Sequence, residues 1–311
     1  MTMKKAILPA IISALFATSA QAATLYEIDD TSVSLSGELD AFYKVYDEEV
    51  DGVETKDEDG ILTTFANVQF DLSTKVSDSV TAMGSFEIEA DNASEVTVDD
   101  AWMGFASDFG TVKVGETGSS YEVMEKTELS NELNEYDAIY SDPANGDGGA
   151  VRYENSLGPV ALSANYSFIS GNSNEVFALS ADYAVDENFT IGAAYQNGDK
   201  TESWGISGSV AVEGLYAAVT YTDNEGAELM DEALDFTTMA FSASYAFAPA
   251  TLYGSYQMVD IDDTNTDVDH WYVGVSRDLT ANITTFVEYS DTDADDAYEA
   301  SQLIAGVYYA F

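Results

Sequence analysis

Carboxylates are the chemistry this chain offers most of. Eight fall within 118–148 alone: Glu122, Glu125, Glu128, Glu132, Glu135, Asp137, Asp142 and Asp147, with Lys126 the one base among them. Acids massed this way supply fixed negative charge, and in a confined aqueous space rings of Asp and Glu favour cations. The groups needed for covalent or redox work are missing. There is no cysteine and a single histidine, so no thiol nucleophile and no zinc site of the usual kind is expected. No glycine-framed serine and no phosphate or dinucleotide loop occurs. His270 follows closely on Asp267 and Asp269, where a carboxylate-assisted base could be built; an exposed polar residue by the outer rim is the reading preferred. The runs 260–263 and 291–296 carry oxygen ligands for Ca²⁺ or Mg²⁺ but lack the spacing of a dedicated calcium loop, and solvated acidic loops fit them better. No enzyme activity, cofactor or resident metal is expected.

The elements that must position these acids are strands. The stretch 118–148 is the longest without strand-like alternation. Two readings stand for it: a loop folded into the lumen of a membrane barrel, or an exposed acidic loop. Residues 1–22 read as a secretory signal peptide, with Lys4 and Lys5, a short apolar run from 6 to 17 and the small-residue site Ala20-Gln21-Ala22. Residues 23–311 then form one domain. The formal net charge is −47, which argues against nucleic acid and anionic substrates. An acidic soluble protein is the competing reading, but aromatic residues make up 12% of the chain, high for a chain held soluble by charge. No apolar run after residue 22 is long enough for a helix across ~30 Å of hydrocarbon. A membrane span must therefore be a closed barrel, the other way to pair every backbone group in lipid.

The alternation supports that barrel. Over 31–46, Val33, Leu35, Leu39, Ala41, Tyr43 and Val45 share one face, and Ser34, Ser36, Glu38, Asp40 and Lys44 the other; Phe42 alone breaks the pattern. Two further strands put Ala66, Val68, Phe70 and Leu72, then Val80, Ala82, Phe86, Ile88 and Ala90, on the apolar side. Others fall near 96–107, 110–117, 149–156, 160–168, 175–185, 189–197, 202–212, 215–223, 236–247, 250–260, 268–278, 282–291 and 300–311, giving sixteen. Connections alternate between short turns and longer acidic loops at 47–61, 92–95, 118–148, 169–174, 198–201, 224–235, 261–267 and 292–299. Outer-membrane barrels have that asymmetry. Aromatics such as Tyr166, Phe168, Tyr221, Phe247 and Tyr289 lie towards strand ends, where an interfacial girdle belongs. The expected fold is all-β: a transmembrane antiparallel barrel of sixteen strands with the third loop in its lumen.

The opening strand SLSGELDAFYKVY, the run AWMGFASDFGTVKVGE before the long loop, VRYENS after it and the terminal Phe311 resemble the general diffusion porins of Gram-negative outer membranes, nearest to the marine gammaproteobacterial kind. The resemblance covers essentially the whole of 23–311. It implies an outer-membrane homotrimer in contact with lipid and lipopolysaccharide, passing small hydrophilic solutes passively. It also implies a third loop facing a basic strip on the opposite wall. Here that strip is depleted: its usual positions fall at Glu38, Asn67 and Glu116. Only Lys44, Lys113 and Arg152 keep bases at lumen parity; they either set a transverse field or pair with wall acids such as Glu38 or Glu154. The second loop, which in the family reaches a neighbouring subunit, is very short. The expected constriction is Glu122, Glu125, Glu128, Glu132, Glu135 and Asp137, facing a wall of Glu38, Asp40, Lys44, Asn67, Lys113, Glu116, Arg152 and Glu154, with a preference for cations. The alternative is a structural or adhesive barrel with a closed pore. Lumen aromatics at Phe42, Trp102, Tyr216 and Tyr253 are too scattered to form a sugar slide. The outer acids are expected to meet divalent ions shared with lipopolysaccharide phosphates.

Overall fold

A computed structural model describes residues 23–91, 95–133, 149–168, 175–229, 232–262, 266–294 and 298–311. The signal-peptide expectation at 1–22 therefore lies outside the described residues. Strand β1 is Ala23–Ile28. Then follow β2 (Thr31–Val50), β3 (Val53–Ser77), β4 (Val80–Asp91), β5 (Glu95–Ser107), β6 (Gly110–Gly115), β7 (Ala150–Leu157), β8 (Val160–Phe168) and β9 (Glu175–Ala184). The remainder are β10 (Phe189–Gly198), β11 (Glu202–Val212), β12 (Leu215–Leu229), β13 (Glu232–Phe247), β14 (Ala250–Ile261), β15 (Thr266–Thr280), β16 (Ile283–Ala294) and β17 (Tyr298–Ala310). Each of β2–β17 pairs antiparallel with its neighbours, and β17 pairs back onto β2 from Tyr298↔Val50 to Ala310↔Glu38. Sixteen strands thus close on themselves and remove the sheet's edges. No helix among the described residues is long and apolar enough to cross a membrane; the strands do so.

Closure has a specific seat. Phe311 N donates to Gly37 O at 2.9 Å and Gly37 N to Phe311 O at 3.0 Å. The Phe311 ring occupies the space a Cβ at 37 would need, 2.6 Å from its Cζ. Beyond that point β1 pairs with the start of β2, Ile28 opposite Thr31. This short strand was not anticipated. Faces follow the expected alternation: Leu39 and Tyr43 are exposed to the outside while Asp40 between them is buried inward. Trp204 with Tyr221 and Trp271 with Tyr289 pack as ring pairs on the outer face, 5.6 and 5.4 Å between centroids.

Two expected outer loops are not loops. The segment 47–61 continues β2 and β3 to a turn at Asp51-Gly52, whose φ values of 53° and 70° belong to the tight hairpin turn that Asp-Gly favours. The segment 224–235 likewise extends β12 and β13 past an irregularity between Asn224 and Ala227. Pairing satisfies backbone groups that a free loop would leave to water.

Candidate functional site

The connection from β6 to β7 enters the lumen, and its first half is ordered by the wall. Residues Ser120–Thr127 form a 3-10 helix, with the Ser119 side chain accepting from Tyr121 N at its start. Three residues per turn make side chains at i and i+3 eclipse, so the helix has three rows. Tyr121, Met124 and Thr127 face the wall and are at most 1% exposed. Val123 and Lys126 flank them. Glu122 and Glu125 form the third row and are exposed to the lumen, with Glu122 reaching Arg152 of β7; Glu128, the cap residue just past the helix, is half-buried.

Wall side chains fasten the helix through its own carbonyls. Ser207 donates to Val123 O at 2.7 Å, Thr220 to Met124 O at 2.9 Å and Tyr216 to Lys126 O at 2.8 Å. Asn165 accepts from Ser120 N at 2.8 Å. Lys126, buried to 1%, pairs with Asp182 of β9 at 2.9 Å. Past the helix the chain crosses to the far strands. Tyr272 accepts from Leu129 N at 2.7 Å, and the Glu288 carboxylate accepts from Asn131 N at 2.6 Å and Glu132 N at 3.1 Å. Tyr308 donates to Glu132 at 2.8 Å. Leu129 and Leu133 bury themselves among Tyr216, Tyr253, Tyr272, Phe286 and Ile304, with Phe42 and Tyr308 beside them.

That cluster corrects the reading of the lumen aromatics. Phe42, Tyr216 and Tyr253 are not scattered. They join Tyr272, Phe286 and Tyr308 in a belt across β12–β17 and β2, and the loop lies on it. Trp102 stands apart, beneath the Lys113 ammonium at 4.9 Å. Tyr272 and Phe286 were missed because each looks like one more inward residue until the loop's two leucines reveal the contact.

The described part of the loop, up to residue 133, lies along β8–β17. The expected wall residues sit on β2, β3, β7 and the end of β6. Lys113 pairs with Glu154 at 3.0 Å. Arg152 meets Glu154 at 3.1 Å and Glu122 at 3.1 Å, and its Nη1 donates to Thr117 O at 2.9 Å. These two bases are thus held in ion pairs, and Arg152 also clasps the root of the loop. Lys44 lies 5.5 Å from the Tyr46 ring. Glu116 accepts from Ala101 N at 3.0 Å, and Asn67 from Glu38 N at 2.7 Å. Asp40 is buried beside Glu38 and feels Glu132. Glu135, Asp137, Asp142 and Asp147 lie outside the described residues. His270 is not an exposed rim residue: it is buried inward, 2.8 Å from Thr292 Oγ1, while Asp267 and Asp269 point to the other face.

A closed antiparallel barrel with an apolar outer face, a polar lumen and a charged loop folded into it has the architecture of a water-filled membrane channel. A family model described as Gram-negative porin matches residues 10–297, and the chain belongs to that family. It is 24% identical to a monosaccharide porin of Halomonas across 99% of this chain and all of that one. It is 22% identical to porin-like protein L of Photobacterium profundum, covering 99% of both. Among solved structures, Salmonella typhi OmpF superposes with a TM-score of 0.79 at 17% identity, covering 93% of this chain and all of that one. The trimer form of Vibrio cholerae OmpT gives 0.75 at 17%, covering 91% of this chain and all of OmpT. The protein is an outer-membrane channel for the diffusion of solutes.

Proposed function

We propose that this channel passes small hydrophilic solutes passively and prefers cations. The observation that carries the preference is the file Glu122–Glu125, aligned by the 3-10 winding and turned into the lumen, with Glu128 capping its end. Glu38 and Glu116 add charge of the same sign on the wall, and Lys113, Lys126 and Arg152 are engaged by acids. Acids in a narrow, partly water-excluded slot act at lower effective dielectric than in bulk. The Halomonas relative is a monosaccharide porin, which supports small neutral sugars as further solutes. A homotrimer in contact with lipopolysaccharide fits the family and the OmpT trimer.

The test is the zero-current potential of purified protein in a planar bilayer under a KCl gradient. Stepwise conductance with a potential favouring K⁺ is the expected result. An anion-favouring potential overturns the cation preference, and folded protein that never conducts overturns the open channel in favour of a closed structural barrel.

A further inference from the structure

We infer that Gly192 and Gly205 set the width of the channel from behind the constriction loop, as positioning residues; this rests on the reading of the chain as an open channel. Both face inward on neighbouring strands, Gly192 opposite Ser207 and Ala194 opposite Gly205. The four make a floor of minimal side chains under the 3-10 helix, where Tyr121, Met124 and Val123 pack with Ala194. Neither glycine has a positive φ, so the backbone does not require glycine at either place. What is required is room. A Cβ at 192 would stand 2.6 Å from Val123 Cγ2 and 2.6 Å from Ser207 Oγ, with Lys126 Cε at 3.3 Å. A Cβ at 205 would stand 2.5 Å from Met124 Sδ and 2.9 Å from Tyr221 O.

Neither clash relaxes in place. Val123 is β-branched and stiff at χ1, and its carbonyl is held by Ser207. Met124 is flexible but fully buried, so its thioether has no space to enter. Overpacking at such contacts is relieved by backbone movement. The helix can move only away from the wall, and in that direction lie Glu122, Glu125 and the open lumen. Side-chain volume on β10 and β11 is thereby converted into displacement of the acid file toward β2–β7. Gly208, on the same strand as Gly205 but facing outward, meets nothing nearer than Thr190 O at 3.6 Å and supplies a control.

The experiment is single-channel conductance of refolded G192A, G192V and G208A, then of G192A combined with V123A. The alanine and valine variants at 192 are expected to lower the step by increasing amounts, valine more than alanine, as the added volume grows. G208A should match wild type, and V123A should return part of the lost step to G192A, because it removes one of the two atoms the new Cβ meets at 2.6 Å, Ser207 Oγ being the other. Should the valine variant fail to fold, G205A with and without M124A asks the same question on the next strand. Unchanged steps in the 192 and 205 variants overturn the inference, as does a loss in G192A that V123A leaves in place. A silent wild-type channel would instead overturn the reading beneath it.

Discussion

Glu122, Glu125 and Glu128 show how one backbone choice becomes a functional property. In an α-helix, side chains three apart are staggered around the axis; in a 3-10 helix they eclipse. Glu122 and Glu125 therefore stand in file, with Glu128 capping its end, while the alternate row Tyr121–Met124–Thr127 is pressed against the wall. The acids expected at the constriction divide in the structure. Glu128 caps the file, Glu132 is held by Tyr308 at 2.8 Å, and Glu135 lies outside the described residues. The variant to make is thus E122Q/E125Q/E128Q. Its zero-current potential under a KCl gradient should move toward zero, because three fixed charges leave the slot and Arg152 loses one of its two acid partners. An unchanged potential would remove the file from the mechanism.

At the scale of elements, the constriction is a segment fastened by seven or more strands rather than a free loop. The Lys126–Asp182 pair is its most exposed commitment, because Lys126 is buried to 1% while Asp182 is 19% exposed. Removing one partner of a buried pair typically costs about 3–5 kcal/mol. D182N leaves the ammonium buried and unopposed, and the helix should detach intermittently. Open-channel current noise should rise above that of wild type while the barrel remains folded. These ties explain what was legible. The strands β2–β17 could be read because lipid on one side and water on the other impose a period of two on every one of them. The 3-10 helix could not, since its partners Asn165, Ser207, Tyr216, Thr220 and Tyr272 come from four strands spread along the chain. Glycines 192 and 205 look like any strand glycine until the helix is seated on them. The hairpin at Asp51-Gly52 carried a readable turn signal; it was hidden by the acids around it, which read as loop.

For the whole molecule, the balance of charge matters more than any one pair. Above the outer ring pairs the strands continue, and their outward positions become acidic. Asp269 lies opposite Asp293, Asp293 opposite Glu299, Glu299 opposite Glu49 and Glu49 opposite Glu54, across β15, β16, β17, β2 and β3. Like charges directly opposite one another destabilise a sheet, and a net charge of −47 adds repulsion over longer range. The same register closes the barrel through β17 and β2, so this repulsion acts on the seam that removes the sheet's edges. Screening relieves it, with a Debye length of about 10 Å at 0.1 M salt and about 3 Å at 1 M. The barrel should therefore gain heat resistance as NaCl rises over that range, measured as the temperature at which the folded band is lost on semi-native gels. Over the same range the file inside the slot should lose less of its influence on ions, because charges within a few ångströms of a permeating cation lie inside even the shorter screening length. Stability that rises while K⁺ preference persists would place the two groups of acids in different roles, one tolerated by salt and one used by the channel. A barrel whose heat resistance falls with salt would mean that ion pairs such as Lys113–Glu154 and Lys126–Asp182 outweigh the outer repulsion.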